Sequence, residues 1–454
     1  MPDLDAVVKA YDVRGTVPDQ LDESLARAFG VAFAQYTKAT SVVVAHDMRP
    51  SGPSLVAAFE DGVTACGATV VNLGLASTDL LYYASGNMDL PGAMFTASHN
   101  PAQYNGIKMC KAGAKSIGID SGLAEVRDLA RVALGTNIVG DPSKVSKRNL
   151  LAEFADHVLS FVDVASLRPL KVVADTANGM GGLVVPAVFE RLNMIELEVM
   201  YGELDGTFPN HPADPIQPAN QRDLQARVIA GGFDVGLAFD GDADRCFVVD
   251  ENGDPVNPSA VAAIVALREI SRVRAEGENP ITVLHNLITS TIVAEVIRGA
   301  GAVPVRTNVG HSLIKDVMRE TGAVFGGEHS AHYYFRDFWG ADNGMLAAMH
   351  LLAELGSQPL PLSAFAKVFN PYFNSGEINS TVGNPQPIVE QIRAQFDSRA
   401  DFDELDGLTG NSKNNSDSWF WFNVRSSNTE PLLRLNVEAS SEKLMREIRD
   451  EVLA

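Results

Sequence analysis

The feature that most constrains the fold is a rhythm. Short apolar, β-branched runs alternate with longer helical ones over most of the chain. Ser41-Val-Val-Val-Ala-His46, Thr69-Val-Val-Asn-Leu73 and Ala93-Met-Phe95 read as strands, and Gln20–Lys38, Pro53–Cys66 and Ser121–Leu134 read as helices. The alternation resumes with a helix over Leu150–Val164, the strand Lys171-Val-Val-Ala-Asp175, a Gly-rich turn, a helix and the strand Val235-Gly-Leu-Ala-Phe239. It repeats with a helix over Pro258–Arg272 and the strands Ile281–His285 and Val303–Val305, each followed by a helix. The end differs: strands around Glu377-Ile-Asn379, Trp419–Phe422 and Leu432–Val437, then a helix from Ser441. Strands joined through helices lie parallel in one sheet. A chain of 454 residues also exceeds what one core can serve. The expectation is an α/β protein: three similar α/β domains with mixed sheets plus a smaller α+β C-terminal domain around a central cleft. The limits fall at 1–145, 146–252, 253–366 and 367–454.

Four polar loops sit at strand exits, where α/β folds place ligands. In Phe95-Thr-Ala-Ser-His-Asn-Pro101 the alternation stops and Ser98, His99 and Asn100 are presented ahead of a proline. A serine there can offer its Oγ to a ligand. In Asp240-Gly-Asp-Ala-Asp-Arg245, between two apolar runs, a tight turn points Asp240, Asp242 and Asp244 inward. Three carboxylates so placed repel one another unless a hard cation lies between them, and oxygen-only ligands select Mg²⁺ over Zn²⁺. Gly326-Gly-Glu-His-Ser-Ala-His332 offers Glu328 and Ser330, groups suited to sugar hydroxyls. Val424-Arg-Ser-Ser-Asn-Thr-Glu-Pro431 puts an arginine among hydroxyls and an amide, the makings of a phosphate cup. Two further loops read as structural. Asn178-Gly-Met-Gly-Gly182 lacks the spacing of a nucleotide-binding loop, and His46-Asp-Met-Arg-Pro50 holds Arg49 as a candidate to face a ligand.

Together with Tyr11-Asp-Val-Arg-Gly15, Tyr104-Asn-Gly-Ile-Lys108 and Gly310-His-Ser312, these loops follow one order along nearly the whole chain. In that order the chain resembles the α-D-phosphohexomutase family, in its phosphomannomutase/phosphoglucomutase branch. The resemblance implies reversible interconversion of hexose 1-phosphate and hexose 6-phosphate, of mannose, glucose or both. Ser98 would carry a phosphoryl group, also bound by Mg²⁺ on Asp240, Asp242 and Asp244. Transfer to the sugar's free hydroxyl would give a 1,6-bisphosphate that turns in the cleft and returns its other phosphate to Ser98. A hexose 1,6-bisphosphate would serve as activator. Lys108 and Arg245 would neutralise charge, with Lys108 and His332 as candidate general base and acid and His99 beside them. Tyr11, Arg14, His311, Glu328, Ser330, Arg425, Ser427, Asn428, Thr429 and Arg434 would bind the substrate.

Two departures bear on substrate choice. Leu284-His-Asn-Leu-Ile-Thr-Ser290 lacks a lysine that some relatives place there, and Ala331 stands where a glycine is usual. Within the family, phosphoglucosamine mutase is the rival reading. Outside it, the rivals are a phosphatase, which needs no grip on a sugar, and a non-catalytic phosphosugar-binding protein, which needs no Ser98 with three aspartates.

The net charge excludes one class of partner and poses a puzzle for an anionic substrate. A net charge of −21 argues against a nucleic-acid partner. A phosphosugar then requires a local basic cleft, for which Arg14, Lys108, Arg245, Arg425 and Arg434 are the candidates. No apolar run reaches the roughly 20 residues of a membrane helix. The acidic start Met-Pro-Asp-Leu-Asp is unlike a signal peptide, and Cys66, Cys110 and Cys246 lack metal-ligand spacing. These readings predict a cytoplasmic protein without a membrane partner. The sequence carries no signal for an oligomeric state.

Overall fold

A computed structural model of the chain describes residues 3–164, 167–413, 417–426 and 432–454, with the side chains of His311 and Ser312 outside the description. The described chain forms two compact units. The first comprises Met1–Val256 and Ser330–Phe365, the second Asn257–His329 and Ala366–Ala454.

The first unit holds two sheets with helices between their strands. In one, Val13–Thr16, Tyr104–Lys111, Gly92–Phe95, Ser41–His46, Thr69–Leu75 and Val145–Lys147 lie side by side in that order. Ser41–His46 pairs in parallel with Gly92–Phe95 and with Thr69–Leu75, whereas Tyr104–Lys111 runs antiparallel to Gly92–Phe95. The helices Glu23–Thr37 and Gly52–Ala65 pack on this sheet through a core that holds Phe29, Phe33 and Phe59; the Phe33 ring meets Phe59, and Phe59 meets Phe95 of the sheet edge-on. Those two helices touch backbone to backbone. A Cβ on Gly30 would lie 2.1 Å from the Phe59 carbonyl oxygen, so only glycine permits the contact.

In the other sheet, Ile195–Met200, Leu170–Asp175 and Val235–Phe239 are parallel, and Cys246–Asp250 folds back antiparallel beside the last. Val235–Phe239 is buried along its whole length, which accounts for its unbroken apolar run. The Gly-rich turn is structural, as its spacing implied. Ala177 and Asn178 adopt φ of 48° and 57°, and the Met180 amide donates to the Gly241 carbonyl at 2.9 Å, bracing the acidic loop. The helix expected over Leu150–Val164 is shorter, Leu151–Leu159.

In the second unit, Val303–Thr307, Thr282–Asn286 and Phe325–Gly327 form parallel ladders flanked by the helices Pro258–Ala275, Thr291–Gly299 and His311–Thr321. A separate antiparallel sheet contains Leu432–Ala439, Phe420–Ser426, Leu408–Ser412 and Ala400–Asp403, with Ile378–Thr381 on the other side of Leu432–Ala439. The helices Pro385–Phe396 and Glu442–Leu453 complete that α+β layer, and its core gathers Phe396, Phe422, Val437 and Ile448. The mixed α/β class with a smaller α+β portion is therefore as expected. No helix among the described residues is long and apolar enough to cross a membrane.

Candidate active site

Gly92–Phe95 is buried on both faces, so its polar continuation marks where the core ends. Ser98 follows at φ 48°, in the left-handed region that costs a non-glycine residue about 1–2 kcal/mol. Such a conformation persists only where its surroundings impose it. Arg49 does so. Its Nη2 donates to the carbonyls of Ser98 at 2.9 Å and Asn100 at 2.7 Å. Its Nη1 donates to those of Pro101 at 2.8 Å and Tyr104 at 2.9 Å, and its Nε to Asp47 at 3.2 Å. All five N–H groups of the guanidinium are thereby taken. The Phe208 ring lies 5.3 Å from the guanidinium carbon. Arg49 is 1% exposed and has no donor left for a ligand, which corrects its expected ligand-facing role.

The acidic loop closes the antiparallel turn between Val235–Phe239 and Cys246–Asp250, where Phe239 stands opposite Cys246. One carboxylate oxygen each from Asp240, Asp242 and Asp244 lies within 4.8 Å of the others, and all three residues are buried. The loop touches the serine loop directly. The Ser98 hydroxyl donates to Asp240 Oδ2 at 2.9 Å, and a Cβ on Gly241 would come within 2.4 Å of the Ser98 carbonyl oxygen. Lys108 reaches across from the neighbouring strand, its Nζ 2.7 Å from Asp242 Oδ2 and 2.8 Å from Asp244 Oδ2. Thr78, at the start of the helix Thr78–Met88, donates its hydroxyl to Asp242 at 2.6 Å. Arg245 donates through Nε to Asp240 Oδ2 at 2.9 Å.

The charges divide unequally. Burial pushes Asp240 up to about 6 against the pull of Arg245, and burial with the neighbouring Asp242 charge pushes Asp244 up to about 7. Burial acts upward on Asp242 too, but Lys108 and the Thr78 hydrogen bond hold it below the usual carboxylate range. Burial acts downward on Lys108, but the two aspartates it bridges outweigh this and raise it well above its ordinary value. As described, Lys108 is a cation held between two aspartates. The donor set fits a hard cation. Asp242 Oδ1 and Asp244 Oδ1 are buried with no hydrogen-bond partner among the described residues, beside a serine oxygen and a third carboxylate.

Other expected residues gather here. His99 Nδ1 accepts from Arg245 Nη2 at 2.7 Å and lies 3.4 Å from Ser98 Oγ. Burial and then the Arg245 charge keep the His99 ring neutral, far below its ordinary value. Arg14 pairs with Asp12 and donates to Asn100 Oδ1, which ties it to the serine loop. Tyr11, half-buried, lies three residues before it. His332 groups with Asp244 and with Asp342, a residue the sequence pattern did not single out. Its Nδ1 lies 3.0 Å from Ser330 Oγ, and burial lowers it to about 4, which keeps the ring neutral. Ala331 is buried at φ 63°, a conformation in which glycine is strain-free and alanine is not.

In the second unit, Glu328 is buried. Its Oε1 accepts from Asn286 Nδ2 at 3.1 Å and from the Gly310 amide at 3.2 Å, fixing the carboxylate at the start of the helix His311–Thr321. Arg425 and Arg434 meet at Glu377, at 3.2 and 3.0 Å. Ser427, Asn428 and Thr429 lie outside the described residues, as does the His311 side chain. The residues not found from the sequence are Thr78, Asp47 and Asp342. Only Thr78 left a signal, as part of the Ser77-Thr-Asp79 helix start.

Comparison with known proteins extends these observations. Models of the phosphoglucomutase/phosphomannomutase alpha/beta/alpha domains I, II and III match residues 5–128, 152–253 and 257–372. The model of that family's C-terminal domain matches residues 377–454. A protein of Xanthomonas campestris pv. campestris named "Phosphohexose mutases" is 38% identical over 98% of both chains. A phosphomannomutase of Escherichia coli K12 is 35% identical over 98% of this chain and 97% of its own. The crystal structure of a phosphoglucomutase/phosphomannomutase family protein from Burkholderia thailandensis superposes with a TM-score of 0.88 at 31% identity, covering 99% of this chain and 96% of that one. With every domain matched in order and full-length relatives well above 30% identity, the chain belongs to the phosphoglucomutase/phosphomannomutase family.

Proposed function

We propose that this phosphohexose mutase moves a phosphoryl group between the 1- and 6-positions of a hexose, accepting mannose and glucose phosphates, through a phosphoserine at Ser98. The observation that carries the reading is the Ser98 hydroxyl, 2.9 Å from a buried carboxylate of the acidic loop whose other charges are met by Lys108 and Arg245. An unreactive serine has no use for such neighbours. Asp240, Asp242 and Asp244 are the residues that would hold Mg²⁺, which when bound supplies charge neutralisation at the transferring group. Lys108 and Arg245 contribute fixed positive charge to the same end. His332, kept neutral by burial, is the group to take the proton of an incoming sugar hydroxyl. Arg14 and Tyr11 bind substrate beside the serine loop. Glu328 and Ser330 grip sugar hydroxyls, and Arg425, Arg434 and the residues 427–429 bind the phosphate not being transferred.

The segments 1–145, 146–252, 253–366 and 367–454 act in this reading as four domains, each lending one loop to the substrate, which is the small-molecule partner. A hexose 1,6-bisphosphate primes Ser98, and the enzyme works in the cytoplasm. The test is an assay with mannose 1-phosphate, glucose 1-phosphate and glucosamine 6-phosphate, each with Mg²⁺ and a trace of glucose 1,6-bisphosphate. Intact-protein mass spectrometry of the wild type and of Ser98→Ala accompanies it. Turnover of the first two sugars, with a phosphoryl adduct lost in Ser98→Ala together with activity, is expected. Normal turnover by Ser98→Ala would overturn the mechanism, and turnover of glucosamine 6-phosphate alone would overturn the substrate reading.

A further inference from the structure

Arg425 and Arg434 stand directly opposite one another on the antiparallel strands Phe420–Ser426 and Leu432–Ala439. Like charges in that register repel. Glu377, one residue before the strand Ile378–Thr381 on the far side of Leu432–Ala439, spans the pair. Its Oε2 accepts from Arg425 Nη2 at 3.2 Å, and its Oε1 lies 3.0 Å from Arg434 Nη1. The Arg425 side chain is 5% exposed, those of Arg434 and Glu377 22% and 27%. A carboxylate thus occupies donors on both arginines assigned above to the substrate phosphate. The site keeps capacity beyond it, since Arg425 Nε is buried with no partner among the described residues.

We infer that Glu377 is a built-in competitor for the phosphate, holding Arg425 and Arg434 when no phosphate is bound and weakening their grip when one is. The inference rests on the phosphate-binding reading of those arginines. A carboxylate and a phosphate are both bidentate acceptors for a guanidinium fork. Either the phosphate displaces the carboxylate, or two anions share two cations. Both cases raise the free energy of the bound state relative to a neutral side chain. The consequence for a mutase is specific. Its bisphosphate must let go of the cup, turn and be gripped again by the other phosphate. Tighter holding at every stage would lower KM without raising the rate. A resident anion makes the clamp self-releasing, and it keeps two apposed arginines from splaying apart between substrates.

The test uses inorganic phosphate as a competitive inhibitor against hexose 1-phosphate in the full-length enzyme. Glu377→Gln keeps the size and one acceptor while removing the charge. Its phosphate Ki is expected to fall at least about fivefold, as loss of a like charge roughly 4 Å away demands even in a water-like dielectric. KM should fall in parallel and kcat should drop because release is slowed. Glu377→Asp, whose carboxylate is drawn back by one methylene, should lower the Ki by a smaller factor. An unchanged or raised Ki in either folded variant would mean that Glu377 only props the arginines, and the inference would fall. A third arm separates the two readings. Arg425→Lys should raise the phosphate Ki at least about tenfold, through loss of the bidentate fork. If it does not, the phosphate cup itself is misassigned, whatever the Glu377 variants do.

Discussion

Replacing Gly241 by alanine tests whether backbone contact between the two reactive loops sets the chemistry. The added Cβ would lie 2.4 Å from the Ser98 carbonyl oxygen and 3.2 Å from its carbon. Ordinary contact requires about 3.4 Å, so the loops must part by about 1 Å. The serine side resists, because its carbonyl is held by Arg49 Nη2 at 2.9 Å. The acidic loop therefore takes most of the shift, which carries Asp240 Oδ2 from 2.9 Å to beyond hydrogen-bond reach of the Ser98 hydroxyl. A displacement of that size at reacting groups costs on the order of 10²-fold in rate. The overpacking itself costs about 1–3 kcal/mol of stability. The assay is kcat from a coupled hexose 1-phosphate to hexose 6-phosphate conversion, with thermal unfolding of the same samples. Gly299→Ala, at the end of the helix Thr291–Gly299 with nothing within 4 Å, is the control and should leave kcat unchanged. A Gly241→Ala enzyme within about twofold of wild-type kcat would show that the contact does not set the geometry, since the displacement argument requires far more.

Three other outcomes are expected. Excess chelator should abolish turnover and Mg²⁺ restore it, and Asp242→Asn should weaken Mg²⁺ and cut kcat by at least about 10², as loss of a charge-stabilising ligand does; full activity in chelator would remove the metal from the reading. Ala331→Gly trades relief of a left-handed alanine at φ 63°, about 1–2 kcal/mol, against a lost buried methyl and greater freedom of the unfolded chain, so the unfolding midpoint should stay within about 1 kcal/mol of wild type, and a loss of several kcal/mol would contradict the strain argument. Burial lowers His285 to about 4, so an unfolded chain takes up the proton first as pH falls. The contribution is complete above about pH 6.5 and is lost toward pH 4, on the order of 3 kcal/mol in all. Denaturant midpoints for His285→Gln should fall less steeply than wild type over that window, and parallel profiles would refute the assignment.

The parts of the fold legible in the sequence were those with one strong local period. Residues 42–45 and the strand Val235–Phe239 are apolar and buried because helices or strands cover both faces, and the amphipathic helix Glu442–Leu453 announces itself with Ser441 as its N-cap. The strand Tyr104–Lys111 is harder to see, because Asn105 and Gly106 disfavour strands and are held there by tertiary contacts. The helix Gly344–Gly356 is buried nearly all round, so it has no polar face to give it a helical period. The site divides in the same way. Ser98 and the three aspartates are legible because hydroxyl and carboxylates interrupt apolar runs. Thr78 and Asp342 act through partners distant in sequence that no local spacing encodes, and Asp47 acts through Arg49 two residues on. Arg49 was visible, but its role depends on carbonyls some fifty residues away in sequence, at Ser98, Asn100, Pro101 and Tyr104.

The Arg49 grip also fixes the direction of local dipoles. In a planar trans peptide the carbonyl and the following N–H point to opposite sides. Turning the Ser98 carbonyl onto the guanidinium therefore turns the His99 N–H away from it. The carbonyls of Asn100, Pro101 and Tyr104 are drawn to the same buried cation. Four partial negative charges are gathered onto Arg49, on the inner side of the loop. A phosphate ester on Ser98 would otherwise share its surroundings with those oxygens as well as with three aspartates. By collecting them, an arginine with no free donor would make a serine beside an acidic cluster more hospitable to the dianion of the proposed phosphoserine.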